Sequence, residues 1–267
     1  MKKFGVIGAG NMASAIIGGV LRKEVFAADE ICASASCETS PHLLALQKEY
    51  GISVTGDNRE AAEGAEIILL AVKPQQYADV IREIAPVVSE KQLVISIAAG
   101  KSLTWLLEQF GKDVKLIRTM PNTPALVGEG MTGFCCGKGI TADDREKALT
   151  VLSAIGLAEE VTESQMDAVV AVSGSSPAYI FMLIEAMADA AVAEGMKREQ
   201  AYRFAEQAVL GSAKLALETG KHPAVLKDMV CSPAGTTIEA VRALEESGFR
   251  AAIEDAMAVC AEKSRSM

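Results

Sequence analysis

A short apolar strand runs directly into a glycine-rich turn at the start of the chain: Phe4-Gly5-Val6-Ile7-Gly8-Ala9-Gly10-Asn11-Met12-Ala13. This Gly-x-Gly-x-x-Ala spacing, set between a strand and the helical stretch 12–22, limits the fold more than any other segment. Gly8 permits the tight turn, Gly10 lets a pyrophosphate approach the backbone, and small Ala13 lets helix and strand pack closely. Phosphates then rest on the free N–H groups at the positive end of the helix. An ordinary strand-to-helix turn uses glycine too, but the placement between these two elements makes a dinucleotide site the expectation.

The second strand bears on which dinucleotide. A site for NAD carries an Asp or Glu about twenty residues on, bonded to the ribose 2′-hydroxyl. Here that strand reads Glu30-Ile31-Cys32-Ala33-Ser34-Ala35-Ser36, with serines where the acid would stand. A carboxylate would repel a 2′-phosphate, whereas hydroxyls donate to it. NADP is therefore favoured over NAD, with NADPH preferred to NADH, and Arg59 is placed to supply positive charge. The alternative for Ser34 and Ser36 is plain solvated turn residues.

With 267 residues, half of them apolar, the chain is long for one domain and suits two. No uninterrupted apolar run reaches membrane-spanning length. Glycines at 5, 8, 10, 18 and 19 break the apolar N-terminal stretch, so it reads as strand, turn and helix rather than as a signal peptide, and the cytoplasm is the expected compartment. A net charge of −9 without a basic cluster argues against nucleic acid and anionic membranes as partners. The six cysteines show neither Cys-x-x-Cys nor Cys/His ligand spacing, so no metal is expected.

Up to about residue 162 strands alternate with helices. Strand-like runs fall at 4–7, 31–34, 52–54, 67–72, 93–97, 116–118, 130–136 and 158–161. Near-continuous apolar strands separated by amphipathic helices signal a buried parallel sheet. After residue 162 only Ala-rich helical segments follow, and stretches such as Ile180-Phe181-Met182-Leu183-Ile184 are apolar around most of the helix. Such helices need covering on all sides, which points to a dimer interface. The predicted organisation is a Rossmann-type α/β domain over 1–162 and an all-α dimerisation and substrate domain over 163–267.

Ligands of such sheets bind outside the carboxyl ends of the strands. Four segments follow strand ends: the glycine loop; Ala71-Val72-Lys73-Pro74-Gln75, with Lys73 pointing into the crevice; Ser96-Ile97-Ala98-Ala99-Gly100, small enough for a flat ring; and Arg118-Thr119-Met120-Pro121-Asn122-Thr123-Pro124. In the helical half, Ser173-Gly174-Ser175-Ser176-Pro177-Ala178-Tyr179 reads as a loop interrupting a helix. Ser232-Pro233-Ala234-Gly235-Thr236-Thr237 precedes another helix, where N–H groups and hydroxyls form a cradle for a carboxylate, although helix capping uses the same residues. The two histidines, His42 and His222, each adjoin a proline and read as turn and cap residues. Hydroxy-acid dehydrogenases need a base, and no lysine lies between Lys147 and Lys197. An imine, readily protonated and reduced at carbon, fits better.

At these residues the chain resembles the pyrroline-5-carboxylate reductases, the last enzymes of proline biosynthesis. The stretch Pro223-Ala224-Val225-Leu226 through Met229-Val230-Cys231-Ser232-Pro233-Ala234-Gly235-Thr236-Thr237-Ile238-Glu239-Ala240-Val241 is similar to the family's C-terminal signature, with Cys231 where many relatives have Ser. The segments at 71–74, 120–124 and 173–179 resemble family motifs in the expected order. The resemblance implies NAD(P)H-dependent reduction of 1-pyrroline-5-carboxylate to L-proline by a homodimer that often builds into a decamer. It places cofactor contacts on Gly8, Gly10, Asn11, Met12, Ser34, Asn58, Val72, Lys73, Pro74, Ala98 and Ala99. Substrate contacts fall on Glu163, Ser232, Gly235, Thr236 and Thr237, with Thr237 the catalytic residue. Two other readings compete: a β-hydroxy-acid dehydrogenase of the same plan, disfavoured by the missing lysine, and a dinucleotide-sensing protein without turnover, disfavoured by the intact Thr236-Thr237 loop.

Overall fold

In the computed structural model, which describes residues 2–267, eight strands form a single sheet: β1 (Phe4–Ile7), β2 (Ile31–Ser34), β3 (Ser53–Thr55), β4 (Ile67–Leu70), β5 (Leu93–Ser96), β6 (Lys115–Met120), β7 (Gly130–Cys136) and β8 (Gly156–Glu160). Their order is β3-β2-β1-β4-β5-β6-β7-β8, the arrangement of a dinucleotide-binding sheet carrying two extra strands at one edge. Helices α1 (Asn11–Arg22), α2 (Pro41–Tyr50), α3 (Asn58–Ala62), α4 (Tyr77–Ile84), α5 (Leu103–Phe110) and α6 (Ala142–Ser153) join them, followed by the short α7 (Met166–Val169).

Every residue of β1, β2, β4 and β5 is buried, because helices cover both faces of the sheet. The alternation is visible along β4: Ile67 and Leu69 join the core that also holds Ile16, Ile17, Leu43 and Leu152, while Ile68 and Leu70 join the core with Tyr77, Ile81, Leu106 and Phe110. Each fully buried aliphatic side chain contributes roughly 1.5–3 kcal/mol.

The sheet is parallel from β3 to β6, but β7 runs antiparallel to β6, with Thr119 opposite Phe134. The reason is length: residues 121–129 are fewer than the dozen or so that a parallel crossover needs. The connection through α6 is long enough, so β8 pairs parallel to β7. Glu159 and Glu160 keep the edge strand β8 solvated, which discourages pairing with another chain.

The chain divides into two units. One comprises the residues up to Ser175 with Cys260–Met267, and the other Ser176–Val259. The second consists of α8 (Ser176–Ala193), α9 (Arg198–Thr219), α10 (Pro223–Val230), α11 (Thr236–Glu246) and the first residues of α12 (Phe249–Arg265). Its described buried side chains are small, namely Ala188, Ala201 and Ala205, whereas Phe181, Met182, Phe204, Leu217 and Val230 are each more than 60% exposed. Apolar exposure on this scale marks an interaction surface. The helical run 163–193 is also long and apolar enough to cross a bilayer, by length and composition only.

Candidate active site

The glycine turn ends at a cleft along the carboxyl ends of β1, β2 and β4, about 730 Å³ with the solvent at its mouth included. Gly8, Gly10, Asn58, Val72 and Lys73 line it, together with Ser36, Ser40 and His42. Gly8 has φ +113°, and a Cβ there would lie 2.5 Å from the Ala71 carbonyl oxygen, so glycine is required twice over. At Gly10 a Cβ would meet nothing within 4 Å, so the position opens onto the cleft that Gly10 lines. Gly10 is the N-cap of α1 and has no side chain to bond the first-turn N–H groups, which Asn11 and Met12 begin. These donors, the open space and the cation Lys73 fit a pyrophosphate. None of the lining residues is acidic.

The end of β2 differs from the sequence expectation. Ser34 is fully buried, and its hydroxyl donates to Asn58 Oδ1 at 2.8 Å, so it stands behind the cleft wall and not on it. Its place in a strand covered on both faces is the cause. Ser36, just beyond the strand end, is the serine that faces the cleft. Asn58 also donates to Glu83 Oε2 at 2.8 Å, which fixes its amide. Arg59 Nε donates to the Glu83 carbonyl at 3.0 Å and does not line the cleft, so its charge is directed elsewhere. His42, read from sequence as a turn residue, is a lining residue; His222 does cap, its Nδ1 accepting from the Ala224 N–H at 3.2 Å.

Beyond β4, Pro74 opens a single 3₁₀ turn that leads into α4, where a missing N–H costs nothing. The turn is anchored by Tyr77, fully buried, whose hydroxyl donates to the Leu70 carbonyl; burial pushes its phenol far above the ordinary range. Beyond β5, the Ala98 N–H donates to Ser96 Oγ at 3.3 Å; Ala98 is buried, and neither it nor Ala99 lines the cleft.

Glu163 is held in place rather than free. Its Oε1 accepts from the Leu103 N–H at 2.7 Å and from Arg118 Nη1 at 3.1 Å, tying the start of α5 to β6. Asn122 makes a similar clamp: its Oδ1 accepts from the Met131 N–H at 2.9 Å and its Nδ2 donates to the Ser173 carbonyl at 3.0 Å. The expected loop at 173–179 is in fact helical. Residues Val170–Gly174 form a π turn, with the Ser175 N–H donating to the Val170 carbonyl at 2.8 Å. Pro177 has no N–H for the carbonyl four residues back, and that carbonyl, Ser173, is the one that Asn122 takes.

The segment Ser232–Thr237 lies in the second unit and Glu163 in the first. Gly235 N–H donates to the Ser232 carbonyl at 3.0 Å, closing a turn with Pro233 at its second position and Ala234 at φ +55°. That geometry usually selects Gly or Asn. A Cβ on Gly235 would lie 2.3 Å from Ser232 Oγ. Gly235 is the N-cap of α11, so Thr236 and Thr237 are its first two residues and their hydroxyls are not needed as caps. Two N–H groups and two hydroxyls therefore gather at the positive end of an eleven-residue helix. Among the described residues no group of three or more His, Cys, Asp or Glu side chains is placed to hold a metal ion.

Residues 163–267 match the family described as pyrroline-5-carboxylate reductase dimerisation, and residues 3–100 match that described as NADP oxidoreductase coenzyme F420-dependent. The chain is 50% identical to the pyrroline-5-carboxylate reductase of Escherichia coli strain K12, over 100% of this chain and 98% of that one. Among solved structures, the pyrroline-5-carboxylate reductase of Coxiella burnetii superposes with a TM-score of 0.93 at 35% identity, covering 99% of this chain and 98% of the other. The Plasmodium falciparum pyrroline carboxylate reductase with NADP bound gives 0.88 at 30% identity, covering 99% and 97%.

Proposed function

The chain belongs to the pyrroline-5-carboxylate reductase family, oligomeric NAD(P)H-dependent oxidoreductases of proline biosynthesis that reduce the imine 1-pyrroline-5-carboxylate to L-proline, and we propose that it takes NADPH in preference to NADH. The observation that carries the preference is the cleft: Ser36 lines it at the end of β2, and no lining residue is acidic. We further place the dimerisation and substrate domain at 163–267, its exposed apolar helices covered in a cytoplasmic homodimer that assembles further into a decamer.

Bound in the cleft, the reduced nicotinamide supplies the hydride. Asn11 and Met12 at the start of α1, with Lys73, would hold the phosphates; Asn58 and Val72 line the cleft, and Pro74, Ala98 and Ala99, which lie outside its lining, are proposed as further cofactor contacts from the family resemblance. The N–H groups of Thr236 and Thr237, beside Ser232 and Gly235, hold the substrate carboxylate, and the Thr237 hydroxyl donates at the ring nitrogen. Glu163 is proposed as a further substrate contact on the strength of the family resemblance. Reduction puts hydride on carbon and needs one proton on nitrogen; the neutral imine nitrogen accepts the Thr237 hydrogen bond and takes its proton readily from water as hydride arrives, so no strong base of the kind a hydroxy acid needs is called for.

The test is substrate-dependent NADPH oxidation by the purified protein. Thr237→Ala is expected to lower kcat/KM for 1-pyrroline-5-carboxylate by at least roughly tenfold, one hydrogen bond of the transition state, with KM for NADPH little changed. Normal kinetics in that variant would remove Thr237 from the chemistry. Ser36→Asp should reverse or flatten the NADPH preference, and a fully active monomer by light scattering at low micromolar concentration would overturn the dimer.

A further inference from the structure

Two ionisable side chains line the cleft, and only one, Lys73, has a task in the reading above. The other is His42. We propose that His42 recognises the 2′-phosphate of NADPH, with the Ser36 and Ser40 hydroxyls beside it; the assignment rests on the cleft being the dinucleotide site.

Position supports it first. His42 is the second residue of α2, the helix that follows β2, and a ribose 2′ substituent lies at the end of that strand. Lys73 follows β4, with β1 between β4 and β2, a separation of about 10 Å at roughly 4.8 Å per strand. Lys73 is thus a pyrophosphate ligand, and the β2 end needs its own cation. Arg59 is bonded to the Glu83 carbonyl.

Local chemistry supports it second. Ser40 is the N-cap of α2 but makes no side-chain cap bond, so its hydroxyl is not committed to the helix. Pro41 occupies the first helical position, where it brings no N–H, and the N–H groups of His42 and Leu43 are left at the helix start. The nearby carboxylate of Glu38 is drawn toward the Gly56 N–H at 3.4 Å and does not line the cleft. An imidazole donates one N–H when neutral and two when charged. A phosphate with about two negative charges therefore has three donor side chains and no acid among the cleft's lining residues, while a bare 2′-hydroxyl gains little from any of them.

The probes are 2′,5′-ADP and 5′-AMP, which differ at the 2′ position, titrated into the full-length cofactor-free protein by calorimetry. The wild type is expected to bind 2′,5′-ADP at least tenfold more tightly. His42→Ala should weaken 2′,5′-ADP five- to tenfold and leave 5′-AMP within twofold, and KM for NADPH should rise by the same factor while KM for NADH stays. Lys73→Met should instead weaken both probes together. A wild type that discriminates and a His42→Ala protein that discriminates equally would overturn the role of His42 and leave the NADPH preference standing. A wild type that does not discriminate would overturn the preference itself. His42 is exposed, and an unchanged melting temperature in the variant separates lost recognition from lost folding.

Discussion

Asn122 offers a sharp test of how the strand-end loops are held. Its amide is 9% exposed and bridges two backbone groups, the Met131 N–H at the start of β7 and the Ser173 carbonyl in the π turn. Asn122→Ala removes both bonds at once. Leaving a buried backbone group without a partner costs about 1–3 kcal/mol. Met131 and Ser173 are only half-buried, so water recovers part of that, and the expected loss is about 2–4 kcal/mol for the pair. At roughly 2–4 °C per kcal/mol for a chain of this size, the melting temperature should fall visibly. Urea unfolding followed by circular dichroism, at one fixed protein concentration because assembly adds to apparent stability, should show a lower midpoint with an unchanged slope. Ser173→Ala is the control. The clamp uses the Ser173 backbone, while its hydroxyl only bonds the Val169 carbonyl at 3.0 Å, so that variant should lose less than about 1 kcal/mol. If Asn122→Ala were as stable as Ser173→Ala, the amide clamp would carry nothing and the π turn would hold itself.

Three further outcomes follow from named contacts. Burial pushes the Asp144 carboxyl up, but hydrogen bonds from Lys115 at 2.9 Å and from Thr141 outweigh it and hold the group below the usual range; its stabilisation is therefore present above the unfolded pKa of about 3.9 and lost as pH falls through the lower folded value. Asp144→Asn should cost about 1.5–3 kcal/mol at pH 7 and much less near pH 2–3, and a difference independent of pH in urea titrations would refute the pairing. The exposed Cys37 thiol is lowered by hydrogen bonding to Thr39, whereas burial pushes Cys135 up to about 11; iodoacetamide at pH 8 should label Cys37 first and Cys135 only after unfolding, as mass spectrometry of the digested protein would reveal. Ala234→Gly relieves a left-handed alanine at φ +55° but loosens the unfolded chain, so stability should rise by less than about 1 kcal/mol while kcat/KM falls with the lost preorganisation; a clear destabilisation would mean that the Ala234 methyl packs against something that matters.

How much of this was legible in the sequence depended on whether a residue's neighbours in the chain decide its environment. β1, β2 and β5 coincide with or nearly match their apolar runs, because burial on both faces leaves an unbroken hydrophobic signal. β8 began two residues earlier than expected, since a solvated edge strand carries no such signal. The reversed direction of β7 follows from the length of segment 121–129 and leaves no mark in its composition. The π turn could not be read, because the residue bonded to its Ser173 carbonyl, Asn122, lies about fifty positions away. Ser34 stands off the cleft because a residue inside a strand covered on both faces is buried, and the first serine past the strand end, Ser36, is the one that lines the cleft.

The two halves of the site differ in the same way. The phosphate cradle is local, since Gly8, Gly10 and the first turn of α1 are within a few residues of one another, and their spacing alone specifies a backbone that accepts an anion. The turn at 232–237 is local as well, yet its sequence is ambiguous, because a threonine at a helix start reads equally as a cap or as a ligand donor. Only geometry separates the two. With Gly235 as the N-cap and Ala234 strained into the left-handed region, the chain has put a residue without a side chain where a capping hydroxyl would be most stabilising. Gly at 234 would relieve the strain, whereas Ser232 Oγ, 2.3 Å from where a Cβ on residue 235 would stand, favours glycine at 235. The arrangement leaves the N–H groups of α11 open and both threonine hydroxyls free of cap duty, a set of donors suited to a small anion.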